Sequence, residues 1–223
     1  MREVKYVETE GQCTFKGGRG KLYGVASTIL LAAVFWFVMF FPGLGLDLNF
    51  WLLMTVASLT LTTLAICLGG RPDIHLSWRE LLLGVGIAVV LWGVFWTGNK
   101  LSQLLFDFAR PQVDLIYGIK GGTSPTLIGL LLLCIIGPGE EIFWRGYVQR
   151  RLSARWSPNV GFLLATAAYT LIHVASLNFM LTMAALVCGV LWGGLFRLFP
   201  KHFTAIVVSH ALWDAAAFVW FPF

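Results

Sequence analysis

TLIGLLLLCIIGPGEEIFWRGYVQRR, residues 126–151, decides how this chain is read. An unbroken apolar run reaches Gly137. Then Glu140 and Glu141 stand side by side, with Arg145 four residues past the second. A helix of about 20 mostly apolar residues crosses the hydrocarbon of a bilayer, and 126–149 is long enough to do so. Its charges then lie at membrane depth, where each costs about 2.5–3.5 kcal/mol on insertion scales. Such groups persist when they pair, face an internal cavity and carry function.

The rest of the chain is of the same kind. Of its 223 residues 58% are hydrophobic and 12% charged, and the mean hydropathy is +0.79. Soluble proteins carry about 25% charged residues, so lipid is the expected solvent. Apolar segments lie at 22–41, 50–69, 80–97, 126–149, 159–177, 180–198 and 203–221. Membrane β-strands would show polar–apolar alternation, and none is seen. The expectation is an all-α polytopic bundle of about seven spans: one membrane domain over 1–223, with 126–221 as its functional core. The first span is too long for a signal h-region of ~7–15 residues and lacks an A-x-A site, so it reads as retained. Cys13, Cys67, Cys134 and Cys188 are scattered and read as small buried side chains.

Charge sets an orientation, because Lys and Arg gather on the cytoplasmic side. Arg2, Lys5, Lys16, Arg19, Lys21, Arg71, Arg79, Arg150, Arg151, Arg155, Arg197 and Lys201 all fall on one side if seven spans alternate. Lys100, Arg110 and Lys120 fall on the other. This predicts a multi-pass protein of the inner or plasma membrane, if bacterial, with a cytoplasmic N-terminus. The basic balance needs no nucleic-acid partner to explain it.

Between spans three and four, Leu101, Leu104, Leu105 and Phe108 share one helical face. They predict a short interfacial helix ended by Pro111. Ala185, Gly189 and Gly193 form a small-residue stripe suited to close helix packing. Trp36, Trp51, Trp78, Trp96, Trp156, Trp192 and Trp220 fall near span ends and read as interface anchors. His75 and His202 read as solvated loop residues.

The ionisable residues inside spans are Glu140, Glu141, Arg145, His173, His210 and Asp214, all in the last four spans. Glu141 and Arg145, four apart, can pair on one helix face. Glu140, about 100° around the turn, points elsewhere. Tyr169 with His173, and His210 with Asp214, have the same four-residue spacing. Three helices thus each bring a polar face. A carboxylate beside an imidazole can hold and deprotonate water. A second His with Asp can meet a developing oxyanion. The same set admits a divalent metal, with Glu140, His173 and His210 as a zinc-type ligand set, although no H-E-x-x-H is present. In GPG, Pro138 cannot donate, so a break in span four is expected there.

Glu140-Glu141-x-x-x-Arg145, Tyr169-x-x-x-His173 and His210-x-x-x-Asp214 resemble the three motifs of the CPBP family of intramembrane proteases. That family includes CAAX prenyl-protein endopeptidases of the Rce1 type and bacteriocin self-immunity proteins. Tyr169 stands where the family usually has Phe. The resemblance implies an intramembrane endopeptidase acting on a membrane-associated peptide or protein. Glu140 would activate water with help from His173. His210 and Asp214 would bind the oxyanion or position substrate, and Glu141 and Arg145 would support the site. No cofactor is required in the glutamate mechanism, and zinc stays open. Trp144, Tyr169 and Trp213 are candidates for the substrate groove. Two other readings remain: a proton-coupled transporter, since buried Glu, His and Asp also make proton relays, and a catalytically silent immunity or binding protein of the same fold.

Overall fold

Residues 8–9, 12–13, 20–45 and 48–223 are described by the structure, a computed structural model. Arg2, Lys5, Lys16 and Arg19 lie outside the described residues. Glu8–Thr9 and Gln12–Cys13 pair as a minimal antiparallel ladder, and all other regular structure among the described residues is helical. Helix α1 is Gly20–Phe40, α2 Phe50–Gly69, α3 Trp78–Leu105 and α4 Ala109–Gly118. Then follow α5, Pro125–Arg155, α6, Pro158–His173, α7, Phe179–Leu198, and α8, Phe203–Ala215. Seven helices are long and apolar enough to cross a membrane, at the seven places the sequence indicates. The chain is an integral membrane protein.

Local sequence explains where several helices begin. Asn49, Ser77, Ser157 and Asn178 precede α2, α3, α6 and α7, and each side chain accepts the N–H three residues on. These bonds satisfy orphan donors of the first turn. Pro158, at the first position of α6, has no N–H to orphan.

The bundle has two distinct ends. At the basic end, Arg150 donates to the Gly69 carbonyl, Arg197 to Asn159, and Glu80 accepts the backbone N–H of Ala205. At the far end, Asn178 donates to the Gln112 carbonyl and Lys120 to the Phe218 carbonyl. Helix α8 is central: eleven of its thirteen residues are buried. Lipid-facing sides are apolar and exposed, as at Leu52 on α2 and Val89 on α3.

Three expectations need correction. First, the interfacial helix is displaced. Leu101, Leu104 and Leu105 belong to the last turns of α3, and the short helix is α4, with Pro111 in its first turn. Proline is tolerated there because first-turn N–H groups lack helical partners anyway. Second, Trp36, Trp51 and Trp192 are buried, whereas Trp78, Trp96, Trp156 and Trp220 are exposed as anchors should be. The Trp36 and Trp192 indoles donate to His173 and Ser209 inside the bundle. Third, only Cys188 of the spanning cysteines is buried, and Cys67 and Cys134 sit on the outer surface.

The GPG segment does not break α5. A π-helical stretch at Leu132–Ile136 widens the helix just before it, with the Gly137 N–H bonding to the Leu132 carbonyl. This wider turn absorbs the missing Pro138 donor, and Ser58 of α2 donates to the Ile135 carbonyl. The glycines serve close approach. A Cβ on Gly137 would lie 2.7 Å from Ala211 Cα on α8, and one on Gly139 would lie against Ser58 Oγ of α2. The stripe on α7 packs as expected: a Cβ on Gly189 would meet Thr166 at 3.1 Å on α6. Gly137→Ala should therefore lower stability by about 1–3 kcal/mol through overpacking. Gly86→Ala, facing open space, should be neutral or stabilising by up to about 1 kcal/mol through helix propensity. Thermal unfolding of the two variants in detergent checks the contrast.

Candidate active site

The Glu-Glu pair divides as the helical turn requires. Glu141 is fully buried, and its Oε1 accepts from Arg145 Nη1 at 2.8 Å. The same oxygen lies 2.7 Å from His210 Nδ1 on α8. Its Oε2 has no hydrogen-bond partner among the described residues. Glu140 turns the other way, into a cavity of about 330 Å³. There its Oε2 accepts from the Tyr169 hydroxyl at 3.2 Å.

Arg145 is held on every side. Beyond Glu141, its Nη2 donates to the Cys188 carbonyl of α7 at 3.3 Å. Its guanidinium lies 4.9 Å from the Tyr169 ring centre and 5.7 Å from that of Trp192. Desolvated contacts of this kind contribute about 2 kcal/mol or more, so three helices converge on one cation. Trp192 in turn stacks on the His210 ring at 3.8 Å, 17° from parallel. His210 is thereby fixed in plane and in rotation. Its Nε2 has only a long contact, 3.4 Å, with Asp214 Oδ2.

His173 is the last residue of α6. Its Nδ1 lies 2.7 Å from the Tyr169 carbonyl, which can only accept, so Nδ1 carries the proton. Its Nε2 then presents a lone pair, and Trp36 of α1 donates to it at 3.0 Å. No hydrogen bond joins His173 to Glu140, although both line the same cavity. Straight spans would leave His173 too near the far surface. The cavity answers that mismatch: it occupies the far-end half of the bundle and reaches His173 at the end of α6.

Of the sequence-predicted residues, Glu140, His173, His210 and Asp214 line this cavity, as do Tyr169 and Trp213. Glu141 and Arg145 lie behind it as their own pair. Trp144 is misplaced as a groove residue. It is buried edge-on against Tyr169, with ring centres 5.3 Å apart, and does not reach the wall. Two participants escape sequence reading: Trp36, which sits among the span-end tryptophans, and Gln149, buried and bonded to the Gly193 carbonyl at 2.8 Å. Their partners are on other helices, so no local spacing marks them.

The fit to a metal ion turns on the donors. Both His173 nitrogens are occupied, by an indole N–H and a carbonyl, and both His210 nitrogens face carboxylates. Among the described residues no three His, Cys, Asp or Glu side chains are grouped to hold an ion. In this arrangement Glu140, His173 and His210 do not form a ligand set.

Residues 122–216 match a family described as type II CAAX prenyl endopeptidase Rce1-like. Over those residues the chain is similar to this family. No curated protein and no solved structure matches. The matched segment includes all three motifs and Glu140, Tyr169, His173, His210, Trp213 and Asp214 of the cavity wall, whereas Asn99, Ser102 and Tyr117 of that wall lie outside it. Helices α1 to α4 fall outside the match, yet Trp36 and Ser58 brace the matched segment.

Removing one member of a buried charge pair leaves the other uncompensated, at about 3–5 kcal/mol. Arg145→Met should therefore lower detergent-phase stability by that order and lower the unfolding temperature sharply. Arg110→Met, in the exposed pair with Asp114, should change it by no more than about 1 kcal/mol. Parallel thermal melts read the difference.

Proposed function

We propose that the chain is a glutamate-dependent endopeptidase that cleaves a peptide bond within the cavity between α3, α5, α7 and α8. One observation carries the reading. Of two adjacent carboxylates, Glu141 is committed to Arg145 and His210, while Glu140 faces the cavity with a single phenolic donor. A carboxylate so placed has an oxygen free for water.

The sequence of events is short. Water bound at Glu140 gives up a proton to that carboxylate, and its oxygen attacks the substrate carbonyl carbon. The developing oxyanion is met by His210 through Nε2, the ring nitrogen with the long and weak contact to Asp214. Preorganised donors of this kind are typically worth about 10²–10³ in rate. Trp192 and Glu141 hold the ring so that it needs no reorganisation. Asp214 orients His210, a role that requires no donor on the carboxylate. On collapse the C–N bond breaks, and the proton on Glu140 passes to the leaving amine.

His173 is assigned as the second acceptor for the water. Its Nε2 faces the cavity and is shared with the Trp36 N–H, which competes with water for the lone pair. Tyr169 orients Glu140 from the other oxygen. The substrate is a membrane-associated peptide or protein, and nothing in the cavity calls for a prenyl group in particular.

General base catalysis contributes about 10²–10⁴ in rate. Glu140→Gln should lower cleavage by that range with unchanged thermal stability, and His173→Ala should lower it as well. Trp36→Phe keeps an aromatic side chain but removes the competing donor, and should retain or raise turnover. Full activity of Glu140→Gln toward a membrane-anchored reporter peptide would refute the mechanism. Solute flux through reconstituted protein with no peptidase activity would favour the transporter reading instead.

A further inference from the structure

The cavity is one-sided. Its lining comes from the C-terminal ends of α1, α3, α6 and α8 and the N-terminal ends of α2, α5 and α7, together with α4. All of these are far-end halves. Nothing from the connections at 70–77, 156–157 or 199–202 reaches it. Glu140, near the middle of α5, is its innermost carboxylate.

A neighbouring recess adjoins the cavity on the far side. This recess, of about 560 Å³, lies between the α1–α2 turn and the α4–α5 loop. Asn49 and Thr123 give it polar walls, and it shares Phe40, Phe50 and Trp51 with the cavity. Helix α4 roofs the cavity beside this recess, with Val113, Ile116 and Tyr117 on its inner face. Gln112 ties α4 to the start of α7, and Tyr117 ties it to the Ala217 carbonyl at 3.0 Å. Burial pushes the Tyr117 hydroxyl above its ordinary value, offset in part by the Phe223 N–H that it accepts.

The loop charges distinguish the same two ends. Arg71, Arg79, Arg150, Arg151, Arg155, Arg197 and Lys201 lie at the basic end. Only Lys100, Arg110 and Lys120 lie at the far end, among Asp107 and Asp114. In short loops the excess of Lys and Arg marks the cytoplasmic side. This bias stands on the loops alone, without the residues before α1.

Building on the protease reading, we infer that the active-site cavity opens away from the cytoplasm and takes a polypeptide segment presented at the non-cytoplasmic leaflet. Beyond the four catalytic side chains, no charged residue lines the cavity, and its walls are groups such as Phe95, Met183 and Val187. A charged substrate side chain would lose its hydration there without gaining a partner. The residues flanking the scissile bond are therefore apolar. A cytoplasmic C-terminal peptide would have to cross the bundle to reach Glu140.

The test uses the full chain, with its four cysteines replaced by alanine, expressed in a bacterial host. Three single-cysteine reporters are read with a membrane-impermeant maleimide: Ser102→Cys on the cavity wall, Ser124→Cys in the α4–α5 loop, and Asp73→Cys in the α2–α3 loop. In intact cells the first two should label to completion, and the third only after the membrane is opened. The reverse pattern, or labelling of Ser102→Cys only from the Asp73 side, would overturn the inference. An epitope inserted after Gly122 and read by antibody on intact cells answers the same question without thiols. Quenched fluorescent peptides with apolar centres, added to vesicles of known orientation, supply the second arm. Cleavage only where the Ser124 face meets bulk solution supports the inference, and cleavage only from the Asp73 face overturns it. The expected labelling without cleavage from either face would overturn the protease reading and leave the sidedness standing.

Discussion

Glu141 Oε1 is the point on which the bundle turns. It receives a guanidinium N–H from its own helix and faces an imidazole nitrogen of α8, at 2.8 and 2.7 Å. In a hydrocarbon surround no water can take either place, so the three groups must stay together or each bears its own desolvation cost. Arg145 extends the hold to the Cys188 carbonyl of α7 and the Tyr169 ring of α6. One carboxylate oxygen thus sets the mutual positions of the four helices that form the matched family segment. Glu140 can face an open cavity because its neighbour carries that load.

Close packing makes such convergence possible. Side-chain charges reach one another across helices only where backbones approach closely. Glycines at 137, 139 and 189 permit that approach on α2, α6 and α8. Association in lipid gains little from apolar burial, since the solvent is as apolar as the side chains, and depends on contact and polar pairing. The basic end shows the same economy in another form. Arg150 and Arg151 donate to the Gly69 and Leu68 carbonyls that end α2, so residues that mark the orientation also finish a helix.

Much of this was legible before any coordinates. Length and apolarity placed all seven spans, because a bilayer enforces both, though α3 and α5 run on to Leu105 and Arg155, past the expected ends at 97 and 149. The four-residue spacings of Glu141 with Arg145 and of His210 with Asp214 became real contacts, and the angular offset of Glu140 became its separate orientation. Less legible was anything whose partner is distant in sequence. Trp36 lies 137 positions from His173, and no pattern within α1 distinguishes it from a tryptophan at a lipid interface. Trp144 sits inside a motif yet faces away from the cavity, because its angular position on a helix with π stretches cannot be counted at 3.6 residues per turn. The leucines of 101–108 have a helical face, but α3 simply continues through most of them, and periodicity does not show where one helix stops and another starts.

Those π stretches have a further consequence. They bracket the Glu pair, at Leu132–Ile136 and again at Trp144–Gln149. Each slips the phase of the helix by a fraction of a turn. The seven residues Gly137–Phe143 between them therefore form a cassette whose azimuth is uncoupled from both ends of α5. The flanking turns can follow the demands of lipid and of neighbouring helices, and the carboxylate keeps its bearing.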